Sequence, residues 1–328
     1  MALSESDHTR QLLVLPGPKA SKGMSTEGNL LREYIGEGGI SAAFKVLEPD
    51  SGDYWVEKFS ILSERFRGDR YTFNEACILQ KLDGNPFFPR FRGIEGGNPV
   101  RVSMEYIHGE PLYHYLRDAF HPLEEKLGKL LDVGYGLREL EKAQVVHRDL
   151  KPENILLEGE KVKITDFGLS SDLEERLDII SEPNRVQGTV EFLSPEQSRG
   201  EKVYPPSDWF AFGIMVYETL TRSHIYPVRD ALEKVRCISR HRDDHLVKMT
   251  GNLLFRSGVS QDLADAWGLA MKSDWKKRQL EPLLQALAQE SGRAYAPRSP
   301  DQDLWREKIP FYEYDLDAVF TSLDSGEK

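Results

Sequence analysis

The run Val145-Val146-His147-Arg148-Asp149-Leu150-Lys151-Pro152-Glu153-Asn154 packs five ionisable side chains between stretches that must be buried. Upstream, Leu127, Leu130, Leu131, Leu137 and Leu140 recur at helical spacing and define a stripe that ends just before Val145. Downstream, Ile155-Leu156-Leu157, the polar turn Glu158-Gly159-Glu160 and Val162-Lys163-Ile164 read as two short strands. The charged run is therefore a loop between a long helix and a strand. A second run, Ile164-Thr165-Asp166-Phe167-Gly168, follows a strand. Loops held by rigid elements are where reactive groups are usually placed.

The groups in these two loops suit phosphoryl transfer. Asp149 is a candidate base for an incoming hydroxyl, Asn154 and Asp166 offer oxygen ligands to a divalent metal, and Lys151 supplies a cation for phosphate charge. The spacing resembles that of the protein kinase superfamily, and Lys151-Pro152-Glu153 resembles its serine/threonine branch. The resemblance covers about residues 30 to 288. It implies an α+β bilobal fold, with a small β-rich N-lobe carrying one main helix (30–104) and a larger, mostly helical C-lobe (105–288). An N-terminal arm (1–29) and an aromatic, acidic C-terminal extension (289–328) would flank it, the extension being expected to pack against one lobe, with a partner-docking segment as the alternative. The implied activity is ATP-dependent phosphorylation of serine and threonine hydroxyls on protein substrates. Magnesium, or alternatively manganese, would sit on Asn154 and Asp166, with Asp149, Lys151 and Asn154 catalytic.

In the N-lobe, Gly36-Glu37-Gly38-Gly39-Ile40-Ser41 stands at the first turn of a hairpin, where Gly36, Gly38 and Gly39 let backbone N–H groups approach phosphates. The third glycine of the family's loop is Ser41 here. Ala42, Phe44 and Val46 alternate as in a strand, Asp50-Ser51-Gly52-Asp53 is a turn signal, and Tyr54 to Phe59 is a second strand. Lys58 on that strand resembles the lysine that neutralises the α and β phosphates, and Glu75, on a helix read over 72–83, its ion-pair partner. The resemblance places Ala43 and Val56 where the family builds the roof over adenine, with its two volumes exchanged across one contact, which a close-packed site tolerates because total volume is kept. Val100, Val102 and Met104 alternate as in a strand; Met104 resembles the residue guarding the back of the nucleotide pocket, and the backbone at Glu105 and Ile107 resembles the connector that hydrogen-bonds adenine.

Trp209 to Tyr217 is apolar nearly all round, the mark of a buried helix too short to span a membrane. Asp208 resembles the aspartate that supports the catalytic loop from that helix. The stretch from Asp166 to Ser194-Pro195-Glu196 resembles an activation segment, with Glu196 expected to pair with Arg278. Arg148 is expected to face this segment, whose possible autophosphorylation sites are Ser170, Ser171, Ser181 and Thr189. Thr189 is better suited to orienting the substrate loop. Asp172, Glu174, Glu175, Asp178 and Glu182 offer built-in charge in place of phosphate.

A net charge of −11 argues against nucleic acid or an anionic membrane as partner and suits a basic one. Glu110 and Glu153 resemble positions that receive an arginine upstream of the acceptor, although Glu110 can equally touch ribose or solvent. The chain's two cysteines, Cys77 and Cys237, give neither a disulfide framework nor a zinc cluster. With an acidic N-terminus and no apolar run of bilayer length, the expected location is cytoplasmic. Two other readings compete. A small-molecule phosphotransferase of related fold would keep the catalytic Asp and Asn but lack Asp166-Phe167-Gly168 and Ser194-Pro195-Glu196. A nucleotide-binding pseudokinase scaffold is opposed by intact Lys58, Asp149 and Asp166.

Overall fold

β-branched and aromatic residues alternating with polar ones commit the N-terminal part of the chain to a single antiparallel sheet. A computed structural model describes residues 12–14, 31–37, 41–48, 51–61, 65–96, 99–174 and 186–297. The sheet contains β1 (Leu12–Val14), β2 (Leu31–Glu37), β3 (Ser41–Leu47), β4 (Tyr54–Ser60), β5 (Phe91–Glu95) and β6 (Arg101–Glu105), in the order β1-β2-β3-β4-β6-β5. The β3–β4 hairpin closes at Gly52, whose φ of +76° is available without strain only to glycine. The Gly52 N–H donates to the Glu48 carbonyl at 2.9 Å, and the Glu48 N–H to the Asp53 carbonyl at 2.8 Å. Register pairs Gly36 with Ala43, Ala43 with Lys58 and Val56 with Met104. Residues directly opposite one another share a face, as do residues two apart on one strand. Ala43, Val56, Lys58 and Met104 therefore line one side of the sheet.

Between β4 and β5 runs α1 (Arg65–Leu82), which begins seven residues before the helix read from sequence. The apolar period starts only where the helix packs, with Ala76, Ile78, Leu79 and Leu82 buried. The helix stops before Gly84, at φ +82°. The strand β5 is absent from the sequence reading because its exposure alternates without a strong apolar face.

Beyond β6, β7 (Glu110–Pro111) pairs with β9, and α2 (Leu112–Arg117) leads to α3 (Leu123–Lys142). The five leucines of the α3 stripe are at most 2% exposed. Gly134 lets this helix approach its neighbour: a Cβ there would lie 2.1 Å from Leu284 Cδ2. Then come β8 (Val145–Val146), the hairpin of β9 (Ile155–Glu158) and β10 (Lys161–Ile164), and β11 (Ser171–Asp172), which pairs with β8. The remaining helices are α4 (Pro195–Ser198), α5 (Pro205–Thr221), α6 (Ala231–Ser239), α7 (Asp243–Ser257), α8 (Gln261–Ala270) and α9 (Glu281–Glu290).

The α5 helix is buried nearly all round, as its composition requires, and packs against α3, α7 and α8. The α+β bilobal architecture expected from sequence is thus present. Past α9, the chain stays against the C-lobe as far as it is described. Arg138 donates to the Tyr295 hydroxyl at 3.0 Å and the Ala296 N–H donates to the Tyr135 hydroxyl at 3.0 Å. Most of the N-terminal arm and the extension from 298 onward lie outside the described residues, so their expected roles are not addressed by the fold. No described helix is long and apolar enough to cross a membrane.

Candidate active site

The loop from His147 to Asn154 is shaped by what lies beneath it. Asp208, on the first turn of the buried α5, accepts the His147 N–H at 2.7 Å and the Arg148 N–H at 3.0 Å. Those two bonds hold Arg148 at φ +69°, a left-handed conformation that a side-chain-bearing residue resists. Burial pushes the Asp208 carboxyl above its usual range, against the pull of His147 and Arg148. Gln197 adds a third support, its Nε2 donating to the Arg148 carbonyl at 2.7 Å.

The next residue, Asp149, is held on all sides. One oxygen accepts the Thr189 N–H at 2.6 Å; the other accepts Lys151 Nζ at 2.9 Å and Asn154 Nδ2 at 3.2 Å. Lys151 Nζ also donates to Thr189 Oγ1 at 2.7 Å. The carboxylate is thereby fixed in place by three hydrogen-bonding groups of the chain, one of them a cation. Asn154 spends its amide nitrogen on the Asp149 backbone carbonyl at 2.9 Å and on the carboxylate, which leaves its oxygen for a ligand.

From the sheet, Lys58 reaches into the same cleft. Its Nζ lies 2.9 Å from Glu75 on α1 and 2.5 Å from Asp166, which is itself left-handed at φ +69°. Burial disfavours the Lys58 ammonium, but the two carboxylates outweigh it and raise its pKa. The pair that shares it is split. Burial, reinforced by Asp166, pushes Glu75 up, whereas Lys58 overcomes the burial penalty on Asp166 and holds it down. A cavity of about 120 Å³ runs between Ser41 and Lys58 on one side and Asp149, Lys151 and Asp166 on the other. Lys58, Glu75, Asp149, Lys151, Asn154 and Asp166, far apart in sequence, thus form one constellation.

Of the residues read as nucleotide-binding, Ala43, Val56 and Met104 occupy the Lys58 face of the sheet, with Gly36 opposite Ala43. Ile107 is buried just past β6. Gly38 and Gly39 lie outside the described residues. Glu105 carries more than a backbone contact. Its carboxylate accepts the buried Lys163 ammonium at 3.0 Å and the Arg90 N–H at 3.0 Å, and these partners outweigh partial burial to lower its pKa.

The segment after Asp166 is anchored at its far end by Glu196 and Arg278, 2.6 and 2.9 Å apart through two oxygens and both side chains almost wholly buried. Ser207 donates to Glu196 at 2.6 Å. Ser194 accepts the Gln197 N–H and caps α4. Arg148 faces the segment, donating to Ser171 Oγ and Gln187 Oε1, each at 3.0 Å. Ser170 and Ser171 are 1% and 4% exposed, so as acceptors they are inaccessible in this arrangement; Ser181 lies outside the described residues. Sequence reasoning passed over Asn74, Lys81, Lys163 and Gln197. The signal for Asn74 was a polar residue on the packed face of α1 beside Glu75.

Sequence comparison agrees with this geometry. A protein kinase domain model matches residues 31–284. The chain is similar to the serine/threonine-protein kinase pkn2 of Myxococcus xanthus, 32% identical over 59% of this chain and 23% of that protein. It is also similar to a RAC family serine/threonine-protein kinase homolog of Dictyostelium discoideum, 28% identical over 84% of this chain and 61% of that protein. Similarity to PrkC of Bacillus subtilis reaches 37% identity over a shorter stretch, 37% of this chain. The chain therefore spans less than two thirds of these relatives' lengths. A matched region that runs from β2 into α9 and encloses every described residue of the constellation leaves one assignment: the chain belongs to the protein kinase family, on its serine/threonine branch.

Proposed function

We propose that the chain transfers the γ-phosphoryl group of ATP to serine and threonine hydroxyls of protein substrates. The observation that carries this reading is the convergence of Lys58, Asp149, Lys151 and Asp166 on one cleft. Asp149 accepts the proton of the acceptor hydroxyl, whose oxygen bonds to the γ-phosphorus as the bridge to the β-phosphate breaks and ADP departs. Lys151, already 2.9 Å from Asp149, stays with the transferred group, and Lys58 holds the α and β phosphates. Ala43, Val56 and Met104 enclose adenine, and the backbone at Glu105 and Ile107 sets its orientation. The Gly36, Gly38 and Gly39 turn covers the phosphates. Thr189 orients the acceptor through its two contacts with the Asp149–Lys151 pair.

The donor set suits a hard cation. No group of three or more His, Cys, Asp or Glu side chains able to hold a metal occurs among the described residues. Two oxygen ligands from Asn154 and Asp166 match magnesium, with manganese as the alternative, because such ions keep water and take phosphate oxygens as further ligands. When bound, the ion neutralises phosphate charge. The cytoplasm is the proposed setting.

The expected preference for basic substrates rests on Glu153, which lines a cavity of about 690 Å³ next to the catalytic loop, and on the exposed Glu110. Two other carboxylates of that cavity are already paired, Glu191 with Lys234 at 2.8 Å and Glu218 with His224 at 3.0 Å. Glu153 is the carboxylate there that remains for an arginine among the described residues. A peptide array in which removing upstream arginines leaves the rate unchanged would reject the preference.

The function itself is tested with labelled ATP, magnesium and a generic basic protein. Label should reach serine or threonine with wild-type protein and be lost with Asp149→Asn and with Lys58→Met. Transfer that survives both substitutions refutes the assignment.

A further inference from the structure

The stretch 167–174 follows Asp166 directly, and the backbone there decides where the Asp166 carboxylate points. Helix α1 grips this stretch with more than Glu75. Asn74, fully buried, directs Nδ2 at the carbonyls of Phe167 (3.3 Å), Gly168 (3.2 Å) and Ser170 (2.8 Å). Its Oδ1 is buried with no hydrogen-bond partner among the described residues. Turning the amide over would set that oxygen against three carbonyls, so only one orientation is tenable. About two turns further along α1, Lys81 Nζ lies 2.8 Å from each oxygen of the buried Asp172 and 3.0 Å from Glu174. Asp172 belongs to β11, which pairs with β8 immediately ahead of His147. On that side the stretch is joined to the catalytic loop by Ser170 Oγ, which donates to the His147 carbonyl at 3.2 Å, and by Arg148 on Ser171.

One short stretch thus carries contacts from α1 on one flank and from the catalytic loop on the other. The α1 contacts are made by an uncharged amide and by a lysine whose acidic partners are part of the chain itself.

We propose that Asn74 and Lys81 are positioning residues that hold Asp166 for metal binding through residues 167–174, with Asp172 and Glu174 supplying the charge that makes added phosphate unnecessary. The inference rests on the proposed kinase activity. Loss of Lys81 leaves Asp166 chemically intact and releases the backbone that aims it, so metal-dependent nucleotide binding weakens while metal-free binding does not.

The test uses the full chain, phosphatase-treated and shown by mass spectrometry to be unphosphorylated between 166 and 196. Its initial rate should be linear from the first turnovers. A lag that preincubation with ATP and magnesium abolishes overturns the phosphate-independent part. Lys81→Met should lower kcat at least tenfold at fixed magnesium and raise the magnesium concentration for half-maximal activity at least fivefold. Lys81→Arg should restore both. Independently of turnover, fluorescence titration with a labelled ADP should show that magnesium tightens binding to wild type, with that tightening lost in Lys81→Met and Asn74→Asp. Amide exchange across 167–174 should quicken in the same variants. Should Lys81→Met not fold, Asp172→Asn, which keeps size and shape, replaces it in every arm. An unchanged magnesium dependence and unchanged exchange overturn the proposal. Wild-type protein that binds nucleotide without transferring phosphate instead removes the kinase reading, and the binding and exchange arms still decide the positioning role.

Discussion

Replacing Asp208 with alanine should disable catalysis while leaving the nucleotide pocket alone. The carboxylate makes two charge-assisted bonds, to the N–H groups of His147 and Arg148 at 2.7 and 3.0 Å. Such bonds contribute about 1.5–3 kcal/mol each, so the gross loss is about 3–6 kcal/mol. Removing a carboxylate whose pKa burial has raised also removes a desolvation penalty, which offsets part of that figure. Arg148 works the other way: its φ of +69° costs about 1–2 kcal/mol, and without Asp208 the residue relaxes toward ordinary backbone. A net preference of about 2–3 kcal/mol for the relaxed loop leaves the working arrangement a minor population. At about 1.4 kcal/mol per tenfold, kcat should fall on the order of 30- to 150-fold. Lys58, Glu75 and the β3–β4–β6 face have no bond to Asp208, so KM for ATP should stay within about threefold if the pocket is independent. The assay is steady-state kinetics with varied ATP and a fixed peptide, alongside thermal unfolding. A kcat within threefold of wild type, or a loss carried by KM for ATP, would refute the reasoning.

Three further perturbations bear on other parts of the argument. Glu196→Gln strands the Arg278 guanidinium, whose side chain is fully buried, and should cost about 3–5 kcal/mol in urea unfolding; the double change with Arg278→Met should recover much of it, and equal stability of the single variant would contradict the pairing. His241 is held neutral by burial, its pKa pushed down to about 4, with its ring nitrogens bonded to the Tyr226 hydroxyl and the Met271 carbonyl. The unfolded chain takes up that proton near pH 6.5, so its stabilisation is present above pH 6.5 and about 3 kcal/mol of it disappears as pH falls to about 4; His241→Gln should flatten that part of the profile. Gly188→Ala combines φ +108° with a Cβ 2.8 Å from the Arg148 carbonyl, so it should shift Thr189 off Asp149 and reduce kcat far more than stability, and wild-type turnover would show that this backbone is free to move.

Most of the machinery was legible because the residues that perform it cannot be exchanged freely. Asp149, Asn154 and Asp166 sit in loops whose flanking helix and strands announce themselves by leucine spacing and by β-branched runs, so motif and scaffold pointed to the same place. Lys58 and Glu75 were legible by order along the chain, and the 2.9 Å contact between them closes a gap of 17 residues. What sequence did not disclose is the support beneath. Lys163 reads as a strand lysine bound for solvent, yet it is buried against the Phe88 carbonyl and Glu105. Gln197 is passed over and Ser194 reads only as part of Ser194-Pro195-Glu196, yet one holds the Arg148 carbonyl and the other caps α4. Polar side chains serving backbone carbonyls leave no periodicity, since any residue with a donor at the right distance will do. The first seven residues of α1 were missed because they include Gly68 and Asp69, which have low helix propensity, and carry no apolar stripe.

The charges of the cleft also constrain the order in which it can work. Lys58 with Glu75 and Asp166 sums to one negative charge, and Asp149 with Lys151 adds none. On the proposed function, a triphosphate alone would meet a site of its own sign, with Lys58 already engaged by Asp166, and a divalent cation held by Asn154 and Asp166 would offset that negative charge. The same ammonium faces two carboxylates displaced in opposite directions: Lys58 outweighs desolvation and holds Asp166 low, while burial, reinforced by Asp166, pushes Glu75 up.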